Sequence, residues 1–244
     1  SIKSVVTKNE KDKTLLHIFN SKSILDGNTI DNLPIGLFGD FYIHELAFFS
    51  IKKNDLNNVN LIFNKNNLRV KKVLMKSYVE GSQIINQNKN IETFFLIKIK
   101  KGTTQVNYFD GSAYKFFENF NFGTDMVIKD ISKVCSLDNE IINRLLLSNT
   151  LKEENLKPGG ILDEKFFFNK NFRKIKKQLI KDIGKARIEE IRDIIFYKNI
   201  NLRNFKLSKT KVYLIIEDKL ISENFQEEIN NIFNNMNFKI DLIN

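Results

Sequence analysis

The stretch Phe94-Phe-Leu-Ile-Lys-Ile-Lys-Lys-Gly-Thr-Thr-Gln-Val-Asn-Tyr-Phe-Asp-Gly111 restricts the possible folds more than any other part of the chain. Phe94 to Ile97 is a short, bounded apolar run. Such a run reads as a strand buried on both faces, with sheet neighbours on either side and cover above and below. Lys100-Lys101-Gly102 interrupts it. Thr103 to Phe109 is again rich in β-branched and aromatic residues, and Asp110-Gly111 is a turn dipeptide. The expectation is strand, tight turn, strand, turn. Several nucleotide-binding folds hold a phosphate at the tip of such a hairpin, but there the tip is built of glycines. Here it carries two lysines.

The rest of the chain divides around this hairpin. Before it, Thr14 to Phe19 reads as a strand, followed by a turn at Asp26-Gly27-Asn28 and a loop, Asp31 to Gly39, fixed by Pro34, Gly36 and Gly39. Phe41 to Ser50 is a long strand. Asn54 or Asp55 can cap a helix reaching about Asn66, with Val59, Ile62 and Phe63 on one face. Leu68 to Leu74 reads as a short strand and Ser77 to Asn86 as a helix. Together they predict a small α+β domain over residues 13–90, with residues 1–12 as a polar lead-in.

Residues 91–244 predict an α/β domain. A third strand near Ala113 to Phe117 follows the hairpin, then helices near 126–134 and 136–148. Phe172 to Lys198 has the longest helical period, with Ile175, Leu179, Ile183, Ile188, Ile191 and Ile195 at near-helical spacing, and Gly184 as a candidate break. Lys211 to Ile216 reads as a buried strand ended by Glu217-Asp218. Glu223 to Asn234 reads as a helix and Phe238 to Ile243 as a last strand. Pro158-Gly159-Gly160 lacks the lysine and the Ser/Thr helix start of a phosphate loop, so it reads as a turn.

Composition narrows the function classes. The single cysteine, Cys135, excludes an internal disulfide or a cysteine-based zinc cluster and reads as a small core residue. His17 has no second ligand-type side chain near it in sequence and is expected to pack rather than catalyse. No apolar run approaches the ~18 residues of a membrane-spanning helix, and no signal peptide is expected. The abundance of Ile, Phe, Asn and Lys matches the bias of an AT-rich genome. The net charge of +10 is spread along the chain, and no nucleic-acid motif accompanies it, so no nucleic-acid partner is expected. The chain opens on Ser1 rather than Met, which predicts a portion of a longer protein.

The order of these pieces resembles the FtsA family, the actin-like cell-division proteins of bacteria. The resemblance runs from about Thr14 to Ile243. Leu16-His-Ile-Phe19 and Asn32-Leu-Pro-Ile-Gly-Leu-Phe-Gly39, followed by the strand Glu45 to Ser50, resemble the family's "H-V-I-P" and "P-I-G-L-x-G" segments. Asn57 to Met75 is similar to the helix and strand after them. The hairpin aligns with the phosphate motif "D-I-G-G-G-T-T-D", reading here Lys98-Ile-Lys-Lys-Gly-Thr-Thr-Gln105. Gly123-Thr124-Asp125 to Ile131 is similar to "G-G-x-x-V-T-x-D-I", Lys185 to Ile191 to the helix "x-A-R-x-E-E-I", and Val212 to Phe233 to the family's last strand and helix. In that last segment Ile216-Glu217-Asp218 replaces Thr-Gly-Gly.

The resemblance implies a small SHS2-like inserted domain followed by an actin-like, ribonuclease H-like second lobe. It implies a degenerate phosphate edge at Lys100, Lys101, Gly102, Thr103, Thr104 and Gly123. The family's first-lobe ATPase half and its amphipathic membrane helix have no counterpart in this stretch. Lys98 removes a carboxylate that would position Mg²⁺. Glu217 and Asp218 put negative charge and bulk where adenosine would lie. The expected function is therefore a cell-division adaptor without ATP hydrolysis and without a required cofactor, at the cytoplasmic face of the inner membrane. Its implied partners are the FtsZ carboxy-terminal tail, other division proteins and further copies of itself, with membrane contact through a segment outside this chain. Arg187, Arg192 and Lys198 are the implied docking residues for the acidic tail. The alternative is a nucleotide-binding actin-like ATPase with relocated ligands for ATP and Mg²⁺.

Overall fold

A computed structural model describes residues 11–30, 35–88, 91, 93–152, 155–168, 171–200, 202, 210–234 and 240–242. The chain divides into two units, Ser1–Thr93 with Asn107–Phe116, and Phe94–Val106 with Phe117–Asn244.

The first unit is built on an antiparallel sheet of β1 (Lys13–Leu25), β2 (Asn28–Ile30) and β3 (Tyr42–Lys52), in the order β2-β1-β3. Asp26 and Gly27 both have positive φ, 49° and 81°, the backbone of the tight turn that matches strand twist. Asp26 also accepts from the backbone N–H of Asp40 and Phe41 through Oδ1, at 3.0 and 2.7 Å, which ties down the entry to β3. β1 is longer than the apolar run alone predicts, because its more polar half from Asn20 onward stays paired with β3 beyond a bulge between Asn20 and Lys22.

Among the described residues, two helices join the sheet of this unit, α1 (Lys53–Asn64) and α2 (Lys76–Gln87). Neither Asn54 nor Asp55 caps α1, which starts directly from β3 at Lys52 with no side-chain cap. Its expected apolar face stays outside: Ile62 is 62% and Phe63 44% exposed. The expected strand at 68–74 does not form. The alternation of Leu68 and Val70 fails at Lys71-Lys72 and resumes out of phase at Val73, so no face of the segment is continuously apolar. The loop at Asp31 to Pro34 lies outside the described residues.

The aromatic core of this unit is Phe19, Phe49, Tyr78, Phe109 and Tyr114. Tyr114 stacks on Phe49 with centroids 4.6 Å apart and on Phe109 at 4.9 Å. Its hydroxyl donates to Asn107 Oδ1, and burial raises its pKa well above the usual phenol value. Phe109 rests over Gly81 of α2, where an added Cβ would fall 2.0 Å from the ring. His17 is buried, stacked on Phe19, and accepts from the Met75 N–H through Nε2 at 3.3 Å. It packs, as its sequence context predicts. Burial, then the charge of Lys72, lowers its pKa from the ordinary 6.5. A base whose folded pKa lies below its unfolded one binds its proton more weakly when folded. The stability it supports is complete above pH 6.5 and is lost as pH falls from there through the folded pKa. Thermal melts between pH 7.5 and 5 should therefore show a fall that His17→Gln flattens. Parallel curves for the two proteins would exclude this coupling.

The second unit holds the ends of a five-stranded mixed sheet, in the order β6-β5-β4-β7-β8, with β4 (Phe94–Ile99), β5 (Thr104–Asp110), β6 (Ala113–Phe120), β7 (Lys211–Ile216) and β8 (Ile240–Leu242). β5 and β6 are shared: Asn107–Phe116 group with the first unit and their remaining residues with the second. Every residue of β4 is buried, the outcome expected of an apolar run in the middle of a sheet. β4 and β7 are parallel, from Phe94 beside Lys211 to Ile99 beside Ile216. The expected last strand is seen as Ile240–Leu242; Phe238 and Ile243 lie outside the described residues.

Among the described residues, the α-helices of this unit are α3 (Asp125–Cys135), α4 (Asn139–Leu147), α5 (Lys177–Phe196), α6 (Lys219–Asn224) and α7 (Gln226–Asn234). Cys135 ends α3 as a buried core residue. α5 runs unbroken through Gly184. The glycine is a contact rather than a break: an added Cβ would meet Phe225 Cε1 at 2.1 Å. That same aromatic divides the expected helix 223–234. Fully buried Phe225 sits between α6 and α7 with φ −120°, and α6 begins at Lys219, earlier than its sequence period suggests. Leu179 is 44% exposed and its neighbour Ile180 takes the buried position instead. No helix among the described residues is long and apolar enough to cross a membrane.

Candidate functional site at the strand ends

Ligands of sheets with parallel strands gather at the carboxyl ends of those strands. In this chain that edge is formed by the end of β4, the turn 100–103, the segment 122–125 entering α3, and Glu217-Asp218 after β7. All belong to the second unit. The turn is tight, with Lys100 N–H donating to Thr103 O at 2.9 Å. Thr104 is fully buried and donates through Oγ1 to Phe122 O at 2.9 Å. Gly123 passes directly beneath the turn, where an added Cβ would lie 2.0 Å from Lys100 O and 2.5 Å from Lys101 O. The next two amides, Thr124 and Asp125, donate to those carbonyls at 2.9 and 2.8 Å. Four of the six residues expected at a phosphate edge, Lys100, Lys101, Thr103 and Gly123, thus meet through a hydrogen bond or this close approach; Thr104 bonds Phe122 beside them, and Gly102 lies within the turn.

The far wall is made by β7. Glu217 N–H donates to Ile99 O at 3.0 Å. Its carboxylate oxygen Oε1 lies 3.6 Å from Lys98 Nζ and 3.9 Å from Lys100 Nζ. Lys98 is only 1% exposed. Asp218 is buried and caps α6, accepting from the Ile221 N–H at 3.5 Å, and its other oxygen accepts from Thr124 Oγ1 at 2.8 Å. Thr124 is the residue that sequence reasoning missed, since its partner is far away in the chain. The cap was detectable: an aspartate directly before an apolar helical run is a helix-start signal.

At this edge the ammonium groups of Lys98 and Lys100 face the carboxylate of Glu217, and the carboxylate of Asp218 is taken up by Thr124. The turn carbonyls and the amides of Thr124 and Asp125 already satisfy one another. A phosphate would meet the Glu217 charge as well as the lysines.

The expected docking residues are not gathered into one patch. Arg187 donates through Nε to Asp130 of α3 and through Nη1 to Glu190 at 2.6 Å. The Asp130 bond raises its pKa further. Arg192 pairs with Asp193 and lies over the Tyr197 ring. The two arginines are five positions apart on α5, about 140° around the helix. Lys198 lies beyond the helix end.

No protein-family model and no curated protein matches this sequence. Solved structures do. The PilM-PilN type IV pilus biogenesis complex is similar over 100% of this chain and 60% of its own, at 9% identity and TM-score 0.54. MreB5 of Spiroplasma citri with AMPPNP is similar over 78% of this chain and 59% of its own, at 12% identity and TM-score 0.48. EutJ from Carboxydothermus hydrogenoformans is similar over 68% and 49%, at 12% identity and TM-score 0.43. The chain spans about half to three fifths of the length of these proteins. With the mixed sheet described above, the first likeness gives the chain an actin-like α/β fold.

Proposed function

We propose that this chain is an actin-like adaptor of the FtsA type that holds partner proteins and does not hydrolyse ATP. The observation that carries the reading is the Glu217 carboxylate seated against Lys98 and Lys100 at the phosphate edge. Phosphoryl transfer needs a positioned metal and an open phosphate cradle, and here a carboxylate already occupies the cradle, shared by two of its lysines. The proposed partners are the acidic, apolar FtsZ tail and other division proteins, at the cytoplasmic face of the inner membrane, with self-association as a further property. An acidic tail reaching Arg187 or Arg192 would have to displace Asp130 or Asp193, which leaves Lys198 as the more accessible cation of the three.

Two measurements on the whole chain test this. Mg-ATP should leave the melting temperature unchanged, whereas a ligand at 100-fold its Kd would add about 2.7 kcal/mol. A labelled FtsZ tail peptide should bind saturably. A clear ATP shift would favour the alternative, an ATP-binding actin-like protein. A second adaptor reading draws on the match to PilM over the whole chain: a role in a pilus-type assembly complex. Saturable binding of a PilN-type partner with no uptake of the FtsZ peptide would favour it.

A further inference from the structure

We infer that Glu217 acts as a built-in anion that closes the phosphate edge, and that removing its charge opens a site for inorganic oxyanions. The inference rests on the reading that this edge holds no nucleotide, and it adds the cause. One carboxylate oxygen of Glu217 lies within 4 Å of the ammonium groups of both Lys98 and Lys100. The Lys98 side chain is 2% exposed. A charge so far from solvent demands a counter-charge, since removal of one partner from a buried pair leaves the other desolvated. Glu217 is held in place at its backbone by Ile99 O and followed by Asp218, which is locked to Thr124. The carboxylate is therefore anchored at the strand end, while its side chain stays 39% exposed. An anion arriving from solvent meets an edge already occupied by a carboxylate that two ammonium groups share. With a neutral side chain at 217, two lysines at the end of a parallel strand pair lose their shared carboxylate, and a small oxyanion can supply the missing charge.

The test uses the complete chain, Glu217→Gln, and Lys98→Met/Glu217→Gln, with inorganic pyrophosphate as the probe, read by thermal melting and titration calorimetry. Without anion, Glu217→Gln should melt lower by about 5 °C. Saturating pyrophosphate should restore most of that loss, with saturable heat. The double variant should melt close to the wild type and bind pyrophosphate at least about 10-fold more weakly than the single variant. Wild type should bind none. The inference is overturned if wild type binds pyrophosphate as well as Glu217→Gln does, or if Glu217→Gln folds and gains no binding. It is also overturned if the double variant is as unstable as the single one. Should Glu217→Gln fail to fold, the double variant decides: recovery supports the pair, continued failure overturns it. Wild type that takes up neither pyrophosphate nor Mg-ATP, beside a Glu217→Gln that gains nothing, removes this inference and leaves the adaptor reading intact. Uptake of Mg-ATP by wild type removes the adaptor reading.

Discussion

Gly123→Ala is expected to lower the melting temperature by on the order of 10 °C, or to prevent folded protein from accumulating. The new methyl carbon would lie 2.0 Å from Lys100 O and 2.5 Å from Lys101 O. Both are backbone atoms, so no rotamer change relieves the contact. Both also accept hydrogen bonds, from Thr124 and Asp125, that would stretch if the turn moved away. Two hydrogen bonds at about 1 kcal/mol each and about 1–3 kcal/mol of overpacking make about 3–5 kcal/mol. For a chain of this size each kcal/mol is worth about 2–4 °C. Gly102→Ala is the matched control. It sits in the same turn, with nothing within 4 Å of its added Cβ and no positive φ, and should change stability by less than about 0.5 kcal/mol. Circular dichroism melts of the two variants decide the matter: equal behaviour would mean that the 123 crossing is looser than described. The contrast separates two glycines that look alike in the motif. One shapes an exposed tip; the other permits two backbones to touch.

Lys181→Ala should cost about 3–5 kcal/mol. The side chain of Lys181 is 2% exposed, and its Nζ lies 2.7 Å from Glu228 Oε1 and 2.8 Å from Oε2. It also donates to Asn224 O at 3.0 Å and lies 5.3 Å from the Phe225 ring centroid. The alanine variant leaves Glu228, 13% exposed, without the ammonium that both of its carboxylate oxygens contact. Lys181→Met with Glu228→Leu removes both charges and should recover most of the loss, because burial of two apolar side chains offsets the lost pair. Urea unfolding of the two single variants and the double one yields the coupling directly. A double variant no better than either single one would mean that the hydrogen bond from Lys181 to Asn224 O at the end of α6, rather than the charge pair with α7, makes the larger contribution.

Local pattern was enough for elements whose burial is continuous in sequence. Phe94 to Ile97 announces β4 because both faces of the strand are covered, and Asp110-Gly111 announces its turn because both the Gly111 and Ser112 backbones are left-handed. Pattern failed where a distant residue decides. β4 runs on through Lys98, a residue that no propensity would bury, because Glu217 arrives from β7 to pair with it. Gly184 looks like a helix break until Phe225 fills the space where a side chain would be. The Val59, Ile62 and Phe63 stripe has true helical spacing, yet Ile62 and Phe63 stay exposed, since amphipathicity states that a face can be buried and not that it is. The site followed the same rule. Gly102, Thr103 and Thr104 were legible as a turn, and Lys100 and Lys101 as its charge, because they are adjacent. The Thr124–Asp218 link and the sharing of Glu217 were not, because each joins segments on opposite sides of the long α4–α5 region.

The parallel pairing of β4 with β7 also sets an order for folding. β4, β5 and β6 are consecutive and joined by tight turns, so they can meet within microseconds. The other edge of β4, a strand apolar except for Lys98, must wait for Lys211–Ile216 to be synthesised and carried back across everything in between. Until then the most hydrophobic strand of the protein presents unpaired N–H and C=O groups, the template on which chains aggregate. The sequence separation of this pairing makes closure of the sheet the slow step. Yield on refolding should accordingly depend on protein concentration, and a chain truncated before Lys211 should aggregate while one that includes β7 does not.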